Sequence, residues 1–270
     1  MPEFPEELIV PTISAAATIL IFVWLIFSRA AKLLSLALWI GLALLVWFAA
    51  VLLLAPGGFF LALSLHPIPN IGLLFVPMIV GITLLTKSSA FQKLVDDIYQ
   101  PWLIGVQVTR VMGVVFLTLY ARGLMPAEFA IPSGIGDVII GATAPIVAAI
   151  LFLNLPFSKI VAIVWNIVGF ADLTLAIILG FLTSPTPYQL LALDRPNHFL
   201  FAFPLAFVPM FAVPLSLLLH LFSLRVLLKQ RDHYKTPFRR QDARRSRRAG
   251  RPVSEIAGFR ASPELDEEGV

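Results

Sequence analysis

The stretch AIPSGIGDVIIGATAPIVAAILFL, residues 130–153, decides the fold. As a helix rising 1.5 Å per residue it reaches roughly 36 Å, more than the hydrocarbon core of a bilayer at about 30 Å. Glycine and proline at this density weaken a soluble helix, but both are tolerated in membrane helices, where neighbouring groups re-satisfy the backbone. The apolar residues run continuously instead of alternating, which fits a spanning helix and not a barrel strand. Within this run only Asp137 is charged. Facing lipid near mid-depth, a carboxylate costs roughly 2.5–3.5 kcal/mol. Asp137 therefore needs a partner on another helix.

The rest of the chain has the same character. Of 270 residues 59% are hydrophobic and 13% charged, with a mean hydropathy of +0.89. Seven apolar spans are predicted, at about 8–28, 33–55, 70–86, 101–122, 130–153, 159–182 and 197–224. The fold expected is an all-α, polytopic bundle of about seven transmembrane helices over residues 1–228, followed by a tail over 229–270. Cysteine is absent, which excludes disulfides, thiolate metal sites and cysteine nucleophiles.

The net charge of +4 hides an uneven distribution. Residues 1–224 carry 8 Lys/Arg against 9 Asp/Glu, while residues 225–270 carry 12 against 7. The opening MPEFPEEL has no basic residue, unlike the positive start of a cleaved signal peptide, so the first span is read as retained. Arg29, Lys32, Lys87, Lys93, Lys159 and the tail fall on one side of the predicted spans; Arg122 and Arg195 fall on the other. The positive-inside rule then places the N-terminus outside and the C-terminus in the cytoplasm, in the cell membrane. The tail, with RRQDARRSRRAGR at its centre, has few apolar residues and is expected to be disordered. Its position beside a span favours anionic lipid headgroups over nucleic acid as its partner.

Three connecting features stand out. PGGFFLALSLHPIPN, residues 56–70, is apolar but broken by Pro and Gly, and is expected at the outer interface. SSAFQKLVDDIYQ, residues 88–100, spaces Phe91, Leu94, Val95 and Ile98 as one helical face, with Lys93, Asp96 and Asp97 on the other. It reads either as an amphipathic helix along the inner surface or as an extension of the fourth span. The last span carries Pro204, Pro209 and Pro214, each of which frees a carbonyl four residues earlier. Those carbonyls are either satisfied by neighbours in a kinked helix or exposed at a hinge.

Charged residues inside spans form one constellation. Arg110 lies about 14 Å above the inner end of the fourth span, Asp137 about 10 Å below the outer end of the fifth, and Asp172 about 20 Å above the inner end of the sixth. Consecutive helices with short loops are usually neighbours, so Arg110 is expected to pair with Asp137, Asp172 or both. Gln107 and Asn166 are placed to satisfy the remaining donors and acceptors. Gly134, Gly136 and Gly141 on the fifth span, and Gly169 on the sixth, give small surfaces for close helix approach. With both aspartates ionised the cluster is formally −1, and one carboxylate holding a proton would balance it.

Three functions follow as expectations. The first is a small-solute or ion transporter, with proton coupling as its sharper form, using the Arg/Asp/Asp cluster. The second is a non-transporting scaffold, receptor or assembly subunit in which the ion pair is structural. The third rests on GIGD at 134–137, which resembles the G-x-G-D of intramembrane aspartyl proteases of the presenilin, signal-peptide-peptidase and prepilin-peptidase types. That resemblance implies Asp137 and Asp172 as the pair sharing a proton and activating water. It covers four residues; the span before Asp137 carries Arg110 and no acid, and FPLAF at 203–207 reorders the Pro-Ala-Leu signature. No cofactor or metal is implied. His66 and His198 fall at the outer surface, His220 near the inner end of the last span and His233 in the tail, so no bis-histidine haem site forms. The last span has no lysine before Lys229, which excludes a retinal Schiff base there. Nothing in the sequence sets an oligomeric state.

Overall fold

The structure, a computed structural model, describes residues 4–30, 34–64 and 71–229. Glu3, Lys32, His66, His233 and the basic tail lie outside the described residues, as does the end of the 56–70 connection. Among the described residues all regular secondary structure is helical, without strands. Residues Met1–Lys229 form one compact unit.

A short 3-10 turn, Glu6–Leu8, leads into α1 (Ile9–Ala30). Then come α2 (Leu34–Leu54), the short α3 (Phe59–Ser64), α4 (Ile71–Lys87) and α5 (Ser89–Asp97). The next span is composite: α6 (Gln100–Gly105), an eight-residue 3-10 stretch (Val106–Gly113) and α7 (Val114–Ala121). Two long helices follow, α8 (Ala127–Phe152) and α9 (Ser158–Thr183). The last span is a π-helical turn, Val208–Ala212, continuing as α10 (Val213–Lys229).

Among the described residues, five helical segments are long and apolar enough to cross a membrane: Glu6–Ala30, Gln100–Ala121, Ala127–Phe152, Ser158–Thr183 and Val208–Lys229. The bent pair Gly72–Lys87 and Ser89–Asp97 makes a sixth if taken as one span, and the apolar helix at Leu38–Leu54 is shorter. Outward-facing residues of α8 and α9 are large and apolar, including Ile135, Ile139, Ile146, Val164, Ile167 and Val168. Such a surface would be an aggregation hazard in water and is what a helix presents to lipid.

α10 is the most enclosed span, apolar over most of its surface as suits a helix inside a bundle. It packs against α4, α6 and α9, while α8 packs against α6, the 3-10 stretch, α7 and α9. The 88–100 segment forms a separate helix, bent 97° from the helix before it. Ser88 caps it by accepting a hydrogen bond from the Phe91 amide at 3.2 Å, and Phe91, Leu94 and Val95 are buried. Lys93 and Asp97 are exposed, whereas Asp96 meets Arg225 (3.3 Å) and Lys229 (2.5 Å) at the end of α10. This segment is not a helical extension of the fourth span, because the backbone at Ile98 is extended.

The last span differs from its predicted limits of 197–224. Residues 199–206 are turns, not helix, and the span runs Val208–Lys229. Pro204 follows a cis peptide bond within those turns, and only Pro209 and Pro214 lie in the helical part, near its start. Proline spacing is the reason: each proline removes an amide donor and crowds the carbonyl four residues earlier, so the helix starts only after Pro204 and takes Pro209 and Pro214 within its first two turns.

Candidate functional site

The 3-10 stretch sets the position of Arg110. Runs of this tighter helix beyond three or four residues are uncommon, and one in mid-span marks strain or a hinge. Opposite it the chain widens instead of tightening, in the π-helical turn Val208–Ala212. Both irregular segments line a cavity of about 60 Å³, together with Thr12, Ala16 and Ile19 of α1. Arg110 and Asp137 are in its wall.

Arg110 is buried and its guanidinium is engaged on all three nitrogens. Nε donates to Asp137 Oδ1 at 2.7 Å, and the NH2 nitrogen pairs with Asp172 Oδ2. The NH1 nitrogen donates to the Gly169 carbonyl at 3.2 Å and to His220 Nε2 at 3.3 Å. Arginine cannot accept, so Nε2 of His220 accepts and its Nδ1 carries the proton. That Nδ1 donates to Asn166 Oδ1 at 2.9 Å, and Asn166 donates through Nδ2 to the Ala162 carbonyl at 2.8 Å. The arginine is thus fixed from two sides, by carboxylates of α8 and α9 and by an uncharged histidine of α10.

Close approach depends on glycine at several positions. A methyl group at Gly136 would occupy the space of the Asp172 carboxylate, and one at Gly141 would meet the backbone of Arg110 and Val111. At Gly169 an added Cβ would lie 2.5 Å from the His220 ring, and at Gly134 it would lie 2.8 Å from the Leu117 side chain. Gly113 faces Asp137 in the same way. These residues are a packing surface for the ion pairs as well as for the helices.

The structure brings together Arg110, Asp137 and Asp172, with Asn166 one step removed through His220. Gln107 does not join them. Its side chain donates to the Ser216 carbonyl of α10 at 3.1 Å. Seven residues earlier Gln100 bonds Ser223, seven residues further along α10. Gln100 and Gln107 thus form an antiparallel polar seam between α6 with its 3-10 continuation and α10, leading from the Lys229 end of the bundle toward Arg110. The expected hinge prolines are resolved in part: the Met210 carbonyl, freed by Pro214, accepts from Trp47 Nε1 at 2.9 Å. The Leu205 carbonyl, freed by Pro209, accepts from the Val208 amide at 2.8 Å.

His220 is the residue that the sequence places wrongly, near the inner end of a span. With the helix running to Lys229 it sits fully buried in mid-helix. Ser216, His220 and Ser223 fall on one face of an otherwise apolar helix, and that periodicity is the signal for it.

A second cavity, about 40 Å³, reaches Asp137 from the side of Thr186, Leu200 and Phe201. Each cavity has room for a few waters, since one needs roughly 10–15 Å³. Asp172 lines neither. Asp137 gives only Oδ1 to Arg110; among the described residues Oδ2 has no hydrogen bond. Between the two aspartates lies a guanidinium, where the resemblance to aspartyl proteases implies a shared proton and a water.

These features define a class: an all-helical bundle of membrane-crossing character, organised around a buried arginine held by two aspartates. The chain belongs to the family described as a domain of unknown function (DUF8737), which matches residues 68–228. All the residues of the polar cluster fall within that match, whereas the α1 wall of the larger cavity falls outside it. No curated protein and no solved structure matches the chain.

Proposed function

We propose that this protein is a multi-pass carrier of a small ion, a proton in its simplest form, with Arg110, Asp137 and Asp172 as its switching centre. The observation that carries this reading is Asp137: a buried carboxylate with one oxygen on Arg110, the other unengaged, and small cavities reaching it from two directions. A proton or cation arriving there competes with the guanidinium for the carboxylate. Arg110 then keeps Asp172, His220 and the Gly169 carbonyl, so the cluster has a second arrangement without losing all its partners. Cavities of this size exclude organic solutes in the conformation described and admit water, protons or a bare cation.

The test is flux in proteoliposomes carrying the full chain, read by a trapped pH dye and by monovalent-cation uptake. The wild type is expected to conduct one of these, Asp137→Asn to abolish it, and Arg122→Gln, whose partner Glu7 is at the exposed end of the bundle, to leave it unchanged. Absence of flux in the wild type overturns the reading. A second reading then takes its place, favoured by the engagement of every Arg110 nitrogen: a static ion-pair core in a scaffold, receptor or assembly subunit.

The same proposal includes seven crossings in the plasma membrane, with the N-terminus outside and the C-terminal tail in the cytoplasm, near anionic headgroups. Contacts support the grouping of helix ends on each side. Glu7 meets Arg122 at 2.5 Å, joining the start of α1 to the end of α7, and Asp96 meets Lys229, joining α5 to the end of α10.

A further inference from the structure

Away from the charged cluster, α1, α6 with its 3-10 continuation, and α8 enclose an open groove of about 640 Å³. Its size falls within the roughly 300–1,000 Å³ of ordinary ligand sites. The floor is shallow in side chains: Gly105 has no Cβ, and Pro145, Ala148 and Ala149 present little bulk. Phe22 and Leu25 of α1 and Phe152 of α8 rise on either side as exposed apolar walls.

The groove is ordered along its length. Its deep part is apolar, and at one end stand Arg29, Tyr99 and Trp102. The Arg29 guanidinium lies 5.2 Å from the centre of the Trp102 ring. Arg29 is exposed and, among the described residues, has no carboxylate partner. The neighbouring cations at this end differ: Arg225 and Lys229 are both held by Asp96. Tryptophan and tyrosine mark the headgroup level of a membrane helix, and arginine there meets phosphate. A cation and two amphipathic rings capping an apolar trough are the chemical inverse of one molecule, an anionic phospholipid with its acyl chain inward.

We propose that this groove is a specific site for an anionic phospholipid, with one acyl chain along Gly105 and Ala149 and the phosphate on Arg29. It is distinct from the contact expected of the basic tail, and it does not depend on whether the protein carries an ion. Lipid bound there ties α1 to α8 across the composite span.

The experiment uses the full chain in vesicles of phosphatidylcholine containing a trace of phosphatidylglycerol with a photoactivatable group on its acyl chain, with adducts mapped by mass spectrometry. Adducts are expected on the peptides bearing Phe22, Leu25 and Phe152. Arg29→Gln should lower them about five-fold, the worth of one basic residue at an anionic surface. Arg29→Lys should retain most of the labelling, which shows that charge and not folding is read. Ala149→Phe, filling the trough with Arg29 intact, should also lower it. Lys229→Gln should leave it unchanged. Equal labelling by a phosphatidylcholine analogue, or labelling unaffected by Arg29→Gln and Ala149→Phe, overturns the site and leaves an ordinary lipid-facing surface.

Discussion

Arg110 concentrates the electrostatics of the bundle in one side chain. Its two carboxylates and its histidine lie on three different helices, so its removal leaves two acids without a cation in a buried site. Removing one partner from a buried ionic network typically costs roughly 3–5 kcal/mol, because the remaining charge is uncompensated. Arg110→Met is therefore expected to unfold at markedly lower temperature or detergent stress than the wild type. Adding Asp137→Asn and Asp172→Asn to it should recover part of the loss, and a thermal-shift series in detergent reads both. The pairing of Arg110 with aspartates was legible in the sequence, since a charge in a membrane span has few ways to be satisfied. The partner set was only partly so. Gln107 shares a helical face with Arg110, yet it reaches Ser216, because it lies one turn, about 6 Å, nearer the Lys229 end and meets a carbonyl of α10 there. His220 was hidden by the mistaken limits of its own helix.

At the scale of elements, periodicity served well where one residue type dominated. The spacing Phe91–Leu94–Val95–Ile98 marks a helical face that the structure buries, and Ser88 supplies the cap that starts it. The last span was harder. Hydropathy cannot distinguish an apolar helix from apolar turns packed inside protein, and residues 199–206 are the latter. Trp47 compensates for the proline at 214 by donating to the carbonyl that this proline leaves bare. It also packs edge-on against Phe211 at 4.8 Å between centroids. Trp47→Phe keeps the ring contact and loses the donor, so a cost of about 1–3 kcal/mol is expected from the unsatisfied carbonyl. Hydrogen exchange at the amides of Val208 and of residues 210–213 should rise in that variant and remain unchanged at α8. Equal exchange in both proteins would mean that water or another donor replaces the indole.

For the whole molecule, the absence of cysteine makes the proposed topology directly measurable. Single cysteines at Leu155, between α8 and α9, and at Tyr188, after α9, lie in exposed connections on opposite sides. A membrane-impermeant maleimide is expected to label Tyr188→Cys in intact cells and Leu155→Cys only after permeabilisation. The reverse pattern would invert the bundle and remove the cytoplasmic assignment of the tail. Positive residues pointed to this orientation, and the Arg122–Glu7 and Asp96–Lys229 contacts agree with its division of sides. What no hydropathy pattern reveals is the backbone state within a span, and here that state has a mechanical consequence. The eight residues Val106–Gly113 advance about 2.0 Å each and turn about 120°, against 1.5 Å and 100° in an α-helix. Relaxing them to α would draw the two halves of the span together by about 4 Å and twist one against the other by about 160°. A change confined to hydrogen bonds within one span would thus act as a screw, turning α6 against α7 and sweeping Arg110 around the axis away from Asp137.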